Sequence, residues 1–191
     1  MLAQAFEWPA STAGFNWAID WVDVYARQHP HKAALVLVQQ GGSADRVTYG
    51  QLSTWSNQAA SHLAQVHAVQ KGDVVVVMLG NTVELYVVLL AAIKLGVCLV
   101  PCTTLLTEAD LADRLARSGA KHVVAANASV QLIERAIQKA HATAISKHIV
   151  GAPVAGWNDL DKYKTQPSVL SQRPLTQPSD PLFLYFTSGY D

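Results

Sequence analysis

The sequence is poor in cysteine and in charge. It has two cysteines among 191 residues, and only 15% of its residues are charged. Fourteen basic residues balance fourteen acidic ones, so the basic surface expected of a nucleic-acid-binding protein is missing. Half of the residues are hydrophobic, which allows a buried core and excludes a largely disordered chain. These proportions predict a globular protein of about one domain.

The two cysteines are too far apart for a disulfide bond. Cys98 and Cys102 lie in the stretch VCLVPC, which is typical of a strand and would separate their Cα atoms by about 13 Å. A disulfide bond requires a much shorter distance. We therefore predict two buried, reduced thiols, which suit a reducing compartment.

A leader peptide and a membrane span are also missing from the pattern. The first fifteen residues contain no lysine or arginine, unlike a signal or transit peptide. The longest apolar stretch, VELYVVLLAAIKLGVCLV, is interrupted by Glu84, Lys94 and Gly96. It predicts a buried helix followed by a buried strand, and no membrane span. We expect a soluble, cytoplasmic protein.

Short apolar strands alternate with helices through the middle of the chain. Over residues 1–45 the pattern predicts an N-terminal helix that ends before Pro30 and the first strand of a β-hairpin. Over residues 46–150 it predicts the second hairpin strand, a helix, and then β-α-β-α-β-α-β. Strands without alternation, joined by helices, indicate a parallel sheet covered on both faces. We predict an α/β fold with a doubly wound parallel sheet flanked by helices.

Polar residues mark the beginnings of two of these helices. Asn81 with Glu84, and Thr107 with Asp110, have the three-residue spacing of a capping box. Gly96 is placed to end the helix that follows Asn81.

The chain changes character after Val150. Five of the eight prolines lie in residues 151–181, which predicts a linker that crosses the surface. The apolar run Leu182–Phe186 then predicts a strand. We expect residues 182–191 to be the truncated first strand of a second, missing subdomain and the start of a phosphate loop. Without its sheet, strand 182–186 should be disordered, self-associate or be covered by another chain.

Thr187, Ser188 and Gly189 follow this strand. They offer two hydroxyl groups, successive backbone N–H groups and a glycine that can adopt positive φ. These are the components of an anion-binding nest for phosphate.

The surrounding motifs resemble the adenylate-forming (AMP-dependent synthetase/ligase) superfamily, in particular the acyl-CoA synthetases that activate acetate and medium-chain acids. The similar segments are VTYGQL, the KGD turn, MLGN, AAIKLG, the VP strand end, SGAK and the terminal DPLFLYFTSG. Together they cover roughly residues 15–190. Where the family has a hydroxyl residue and later a lysine, this chain has Tyr190 and then Asp191. Gly80 stands where the family usually has proline.

The resemblance implies a ligase that adenylates a carboxylic acid with ATP and magnesium and then passes the acyl group to coenzyme A. On that mapping Thr187, Ser188 and Gly189 contact the β- and γ-phosphates. We expect this N-terminal portion to be inactive alone and to bind none of these cofactors tightly. The alternative is a non-catalytic α/β module that serves as a binding or regulatory partner.

Histidine and tryptophan residues supply no further motif. The seven histidines lack the spacing of a metal site, and His62 and His67, five residues apart on a helix, are expected on different faces. We expect all seven to be solvated or internally satisfied. The tryptophans are expected to be packing residues rather than a stacking platform, and they are Trp8, Trp17, Trp21, Trp55 and Trp157.

Overall fold

A five-stranded parallel sheet forms the centre of the computed structural model, which describes residues 14–39, 41–170 and 173–187. Its strands are β3 (Val74–Met78), β4 (Cys98–Pro101), β5 (His122–Ala126), β6 (Ser146–Val150) and β7 (Asn158–Asp159). The other elements are a π-helical segment (Trp17–Asp23), α1 (Val24–Gln28), β1 (Ala33–Val38), β2 (Ala44–Thr48), α2 (Tyr49–His67), α3 (Val83–Leu95), α4 (Glu108–Ser118), α5 (Val130–Lys139) and 3₁₀ helices at Asn127–Ser129 and Leu160–Thr165.

The sheet is covered by helices on both faces. The strand order is β4-β3-β5-β6-β7, with every neighbouring pair parallel. Strand β3 shows why both faces are apolar: Val75 and Val77 belong to one buried cluster, with α2 and α3. Val76 and Met78 belong to the other, with α4 and α5. The predicted doubly wound parallel sheet is confirmed.

The apolar stretch from Val83 to Pro101 forms a helix and then a strand, as predicted. Helix α3 has 13 residues, and no helix in the described part of the chain is long and apolar enough to cross a membrane. Cys98 and Cys102 are buried and unpaired with each other. The predicted burial of both cysteines is therefore confirmed, and their reduced state stays a prediction.

The N-terminal elements pack against the sheet's own core. Strands β1 and β2 form the predicted antiparallel hairpin. Ala18, Val22 and Val47 are buried in the same cluster as Val75 and Leu99. The boundary predicted at residue 46 falls inside β2, because the hairpin and α2 share one continuous apolar interior with the parallel sheet.

Of the two predicted capping boxes, one forms. The backbone N–H of Asp110 donates to Thr107 Oγ1, and the N–H of Thr107 donates to Asp110 Oδ2, each at 3.2 Å. The box predicted at Asn81 is wrong. Thr82 is the N-cap of α3 without a side-chain hydrogen bond, and Asn81 Oδ1 accepts from the Tyr86 hydroxyl at 3.0 Å.

Gly96 ends α3 with φ of +67°. A Cβ at this position would lie 2.8 Å from the Thr176 methyl group. Both the left-handed backbone and the close approach therefore require glycine.

Residues 151–165 are not a plain surface linker. Strand β7 extends the sheet beyond β6, and the following 3₁₀ helix packs on α2 and β6. Trp157, Leu160 and Tyr163 are buried, with at most 8% of each residue exposed. Their three-residue spacing forms a small apolar stripe, which anchors this segment despite the prolines around it.

Candidate functional site

The segment before Thr187 lies alongside β4. Phe183 forms a parallel bridge with Leu99. The N–H of Leu99 donates to the Leu182 carbonyl at 2.9 Å, and the N–H of Leu184 donates to the Leu99 carbonyl at 2.8 Å.

This placement differs from the sequence prediction of a strand that begins a separate unit. The described segment makes one bridge to the core sheet, because the outer edge of β4 offers unpaired backbone groups. Since the segment around Phe183 runs parallel to β4, it ends at the same edge of the sheet as β4, the carboxyl edge.

Thr187 follows at this edge and is exposed. In open α/β sheets, ligands bind outside the carboxyl ends of the strands. An exposed hydroxyl there can donate to a phosphate oxygen. Ser188 and Gly189, the other two predicted phosphate contacts, lie outside the described residues, as do Tyr190 and Asp191.

Two arginines of α4 lie against the ring of Phe186, the residue that precedes Thr187. The guanidinium carbon of Arg117 is 5.2 Å from the ring centre of Phe186, and that of Arg114 is 5.6 Å away. Both are close enough for a cation–π contact. Each also bonds within its own helix, Arg114 to the Asp110 carbonyl and Arg117 to Asp113. The arrangement places two guanidinium groups, one of them paired with Asp113, beside the residue that precedes Thr187.

Sequence reasoning missed these arginines as site residues. Their i, i+3 spacing on an amphipathic helix places them on one side of α4, which was a usable signal. Their proximity to Phe186 was not visible, because about seventy residues separate the two segments.

The loop after β3 reaches the same edge of the sheet. It contains Gly80, where a Cβ would have no neighbour within 4 Å. The backbone here therefore has room for a side chain at its Cβ position.

Two clefts lie on the surface, one of them beside the Leu182–Phe186 segment. A groove of 450 Å³ has an almost entirely apolar lining that includes Trp17, Trp21, Leu35, Leu89, Leu182 and Phe183. A cleft of 710 Å³ has a mixed lining that includes Asp45, Arg46, Trp55, Glu84, Tyr163 and Lys164. The groove suits an apolar side chain or ligand, and the mixed cleft suits a polar one.

The tryptophans follow the packing prediction only in part. Trp157 is buried, whereas Trp17 and Trp21 are 46% and 48% exposed. Their rings stack at 6.0 Å between centres, and Trp21 stacks on Tyr25 at 5.5 Å. The prediction is wrong for this pair because the buried side of the helix is formed by smaller residues, Ala18 and Val22. Trp8 lies outside the described residues.

Four of the seven histidines lie close together, three of them buried and His67 half-buried. The ring centres of His62 and His67 are 4.9 Å apart, so the prediction that they point away from each other is wrong. His148 lies 4.6 Å from His67 and 5.5 Å from His122. Among the described residues, no three histidine, cysteine, aspartate or glutamate side chains are arranged to hold a metal ion.

A doubly wound parallel sheet with an exposed threonine at its carboxyl edge is compatible with an α/β protein that binds a phosphate-containing ligand. The sequence comparison makes the assignment specific. The chain belongs to the AMP-binding enzyme family, which matches residues 22–189.

Curated relatives match nearly the whole chain. The human mitochondrial acyl-coenzyme A synthetase ACSM5 is 27% identical over 180 residues, covering 92% of this chain and 31% of the relative. The 4-hydroxybutyrate–CoA ligase 1 of Metallosphaera sedula is 28% identical over 177 residues, covering 92% and 30%. The chain thus spans about a third of the length of these relatives.

Solved structures share the fold. An acyl-CoA synthetase from Brucella canis superposes with a TM-score of 0.83 at 22% identity, covering 95% of this chain and 33% of that protein. A benzoate CoA ligase from Burkholderia xenovorans superposes with a TM-score of 0.73 at 25% identity, covering 88% and 32%. Both likenesses confirm the mixed α/β architecture.

Proposed function

We propose that this chain forms the part of an ATP-dependent acyl-CoA synthetase that begins the nucleotide phosphate site. The observation that carries the proposal is the position of Thr187, at the carboxyl edge of a parallel sheet within the segment matched by the AMP-binding family. In the reaction, a carboxylate attacks the α-phosphate of ATP and pyrophosphate leaves, and the thiol of coenzyme A then attacks the acyl carbon of the resulting acyl-AMP, which releases AMP and the thiol proton.

The contribution of this chain is electrostatic. Negative charge increases on the departing phosphates, and O–H and N–H donors fixed in position stabilise that charge. The Thr187 hydroxyl would donate one hydrogen bond, and Ser188 and Gly189 would supply the neighbouring hydroxyl and amide donors. Arg114 and Arg117 add a favourable field at short range. The described residues offer no set of three metal ligands, so no role for magnesium is assigned to them.

Turnover by the 191 residues alone is not expected. The curated relatives use about three times this length, and one phosphate turn fixes neither adenine, the acid nor coenzyme A. We expect weak phosphate binding without adenylation. The two buried thiols agree with a cytoplasmic setting, which is part of the proposal.

The test is a pair of measurements on the purified chain. Acid-dependent exchange of pyrophosphate into ATP should stay at background. In an NMR titration, tripolyphosphate should shift the amide signals near Thr187, and Thr187→Ala should weaken that response several-fold. Thr54→Ala, which removes an exposed hydroxyl on α2, is the matched control and should change nothing.

Two outcomes would contradict the proposal. Exchange above background would show that these residues suffice for adenylation. Equal shifts in the Thr187→Ala, Thr54→Ala and unsubstituted proteins would show that the turn does not hold phosphate.

A non-catalytic α/β binding module is the second candidate function. The exposed apolar residues of Leu182–Phe186 and the 450 Å³ groove beside them favour it, because such surfaces commonly mark contacts with another polypeptide. Gel filtration with light scattering distinguishes the candidates. A defined dimer abolished by Phe183→Lys would support self-association through this segment, and a monomer at high concentration would argue against it.

A further inference from the structure

A row of four imidazole rings joins α2 to the parallel sheet. His62 and His67 come from the C-terminal half of α2, His122 from β5 and His148 from β6. Adjacent ring centres along the row, 62–67–148–122, lie 4.6 to 5.5 Å apart. His122 Nδ1 and His148 Nε2 are 3.3 Å apart. Within the described residues, His67 Nε2 and His148 Nδ1 are buried and have no hydrogen-bond partner.

Charged groups face the row mainly at its ends. Asp73 Oδ2, in the turn before β3, lies 3.5 Å from His122 Nε2, but Lys121 already pairs with Asp73 at 2.6 Å. At the other end, Asp159 of β7 faces His62, and Lys162 of the 3₁₀ helix opposes it. Tyr163 and Asp161 lie on the same 3₁₀ helix, and Asp161 pairs with Lys164. Among the described residues, the charged or titratable groups that lower the pKa values of His67 and His148 are the other histidines of the row and, for His67, also Lys162.

The four imidazole rings can all be neutral at the same time, but they cannot all be protonated. Burial, together with the neighbouring histidines, lowers the pKa of His148 to about 3 and that of His67 to about 4. Burial also lowers the pKa of His62, although Asp159 opposes that shift. It lowers the pKa of His122 in the same way, although Asp73 opposes that shift. A proton on one ring would repel a proton on the next, because imidazolium groups at these distances interact strongly in a buried setting.

Two elements depend on the contacts between the histidine rings, and they are the end of α2 and the 3₁₀ helix Leu160–Thr165. Helix α2 and this 3₁₀ helix pack on each other, and the 3₁₀ helix also packs on β6. His67 is the last residue of α2, and Ala68 after it adopts the left-handed conformation with φ of +53°. Helix α2 also packs on α3, so α3 is the neighbouring helix against which a selective opening is judged.

We propose that His62, His67, His122 and His148 form an acid-sensitive latch, which holds the end of α2 and the Leu160–Thr165 helix against the sheet and opens as the pH falls below neutrality. The latch is independent of the phosphate turn, because none of its members lies at the carboxyl edge beside Thr187.

The direction follows from proton linkage. A histidine in the unfolded chain has a pKa near 6.5 and accepts protons more readily than the folded cluster does. The stabilising effect of the neutral row is therefore complete above pH 6.5 and is lost progressively as the pH falls toward the folded values of about 3 to 4. Between pH 6.5 and 5, His67 and His148 should each raise the unfolding equilibrium constant by roughly 15-fold, which is roughly 200-fold together.

Urea denaturation of the complete chain at pH 7.5, 6.5, 6.0, 5.5 and 5.0 tests the latch. Carboxylates also affect stability in this range, so the informative quantity is the difference between variants. In the double variant His67→Leu/His148→Leu, most of the fall in the free energy of unfolding between pH 6.5 and 5 should disappear. His31 is an exposed histidine on the turn before β1. The control variant His31→Gln should show the full fall in the free energy of unfolding. Equal pH dependence in all three proteins would overturn the proposal.

Hydrogen exchange on the unsubstituted protein remains decisive if the double variant fails to fold. After correction for intrinsic rates, protection in residues 60–68 and 158–165 should fall at least tenfold more than in α3 when the pH is lowered from 7.5 to 5.5. A uniform loss across the chain, or no selective loss at all, would show that acid does not open this contact.

Discussion

The Lys94 ammonium group lies 2.8 Å from Asp23 Oδ1, and the two side chains are only 0% and 9% exposed. The pair joins α3 to the π-helical segment. Ser56 Oγ and Asn57 Oδ1 accept two further hydrogen bonds from Lys94, and Ser53 donates to Asp23. Burial lowers the pKa of Lys94, and Asp23 opposes that shift. The N-terminal helix is therefore fixed to the sheet layer by a charged contact as well as by apolar packing.

Removing the carboxylate should destabilise the protein more than removing the ammonium group. Asp23→Ala leaves the Lys94 charge buried without its counter-ion, and we expect a loss of about 3–5 kcal/mol in the free energy of unfolding. Lys94→Met keeps the volume, and the remaining carboxylate still accepts from Ser53, so its cost should be smaller. Urea denaturation at pH 7.5 measures both.

The double variant Asp23→Ala/Lys94→Met isolates the interaction. It should cost less than the sum of the two single changes, because neither charge is left alone. Arg117→Ala is the exposed control, since Arg117 and Asp113 pair on the surface of α4, and it should change the free energy of unfolding by no more than about 0.5 kcal/mol. Strict additivity would contradict a buried, coupled pair.

The two cysteines should be unreactive in the folded protein. Burial raises the pKa of the Cys102 thiol to about 11 and also raises that of Cys98. At pH 8, roughly one Cys102 thiol in a thousand is then ionised, and the thiolate is the reactive form. Alkylation by iodoacetamide, followed by mass spectrometry, should modify neither residue within minutes. Both should react in 6 M guanidinium chloride, and rapid labelling of the native protein would contradict their burial.

Local sequence patterns predicted the order of the helices and strands. They could not predict contacts between segments that are distant in sequence. The Val74–Met78 strand was recognisable because five apolar residues in succession fit only a strand covered on both faces. By contrast, a histidine at position 148 gives no sign that it meets residue 67 across the fold. Leu182–Phe186 shows the same limit, since an apolar strand does not specify its partner, and its pairing with Leu99 was missed.

The helix spacing rule also explains the error at His62 and His67. Five residues correspond to about 500° of rotation, so the two Cβ atoms point in directions about 140° apart. The rings nevertheless meet, because His67 is the last helical residue and its side chain turns back toward the sheet. The candidate phosphate turn stays a prediction from three consecutive residues, whereas the position of Arg114 and Arg117 against Phe186 required the folded arrangement.

A capping box forms at Thr107 but not at Asn81, so alanine substitutions at these two positions should differ in their cost to the free energy of unfolding. Thr107→Ala removes the acceptor for the Asp110 N–H at the start of α4 and should cost about 1 kcal/mol. Asn81→Ala removes only an exposed contact with Tyr86 and should cost no more than about 0.5 kcal/mol. Thermal denaturation of both variants checks this difference, and an equal loss would show that Asn81 caps α3 after all.

Deleting residues 182–191 should leave a folded domain. The described part of this segment makes two backbone hydrogen bonds to Leu99, and Leu182, Phe183 and Leu184 remain 37–39% exposed. The apolar contact that is lost is partly offset by the conformational entropy that the free chain regains. We expect the free energy of unfolding to fall by no more than about 2 kcal/mol, with the circular dichroism spectrum and cooperative melting retained.

Leu99→Ala provides the contrast on the other side of the same contact. Leu99 is completely buried, so its truncation should leave a cavity and cost about 2–5 kcal/mol. The deletion should therefore be the milder change, although it removes ten residues and the substitution removes three carbon atoms. An unfolded spectrum for the deletion variant would mean that the edge segment is part of the folding unit, because β4 would then require a partner on both sides.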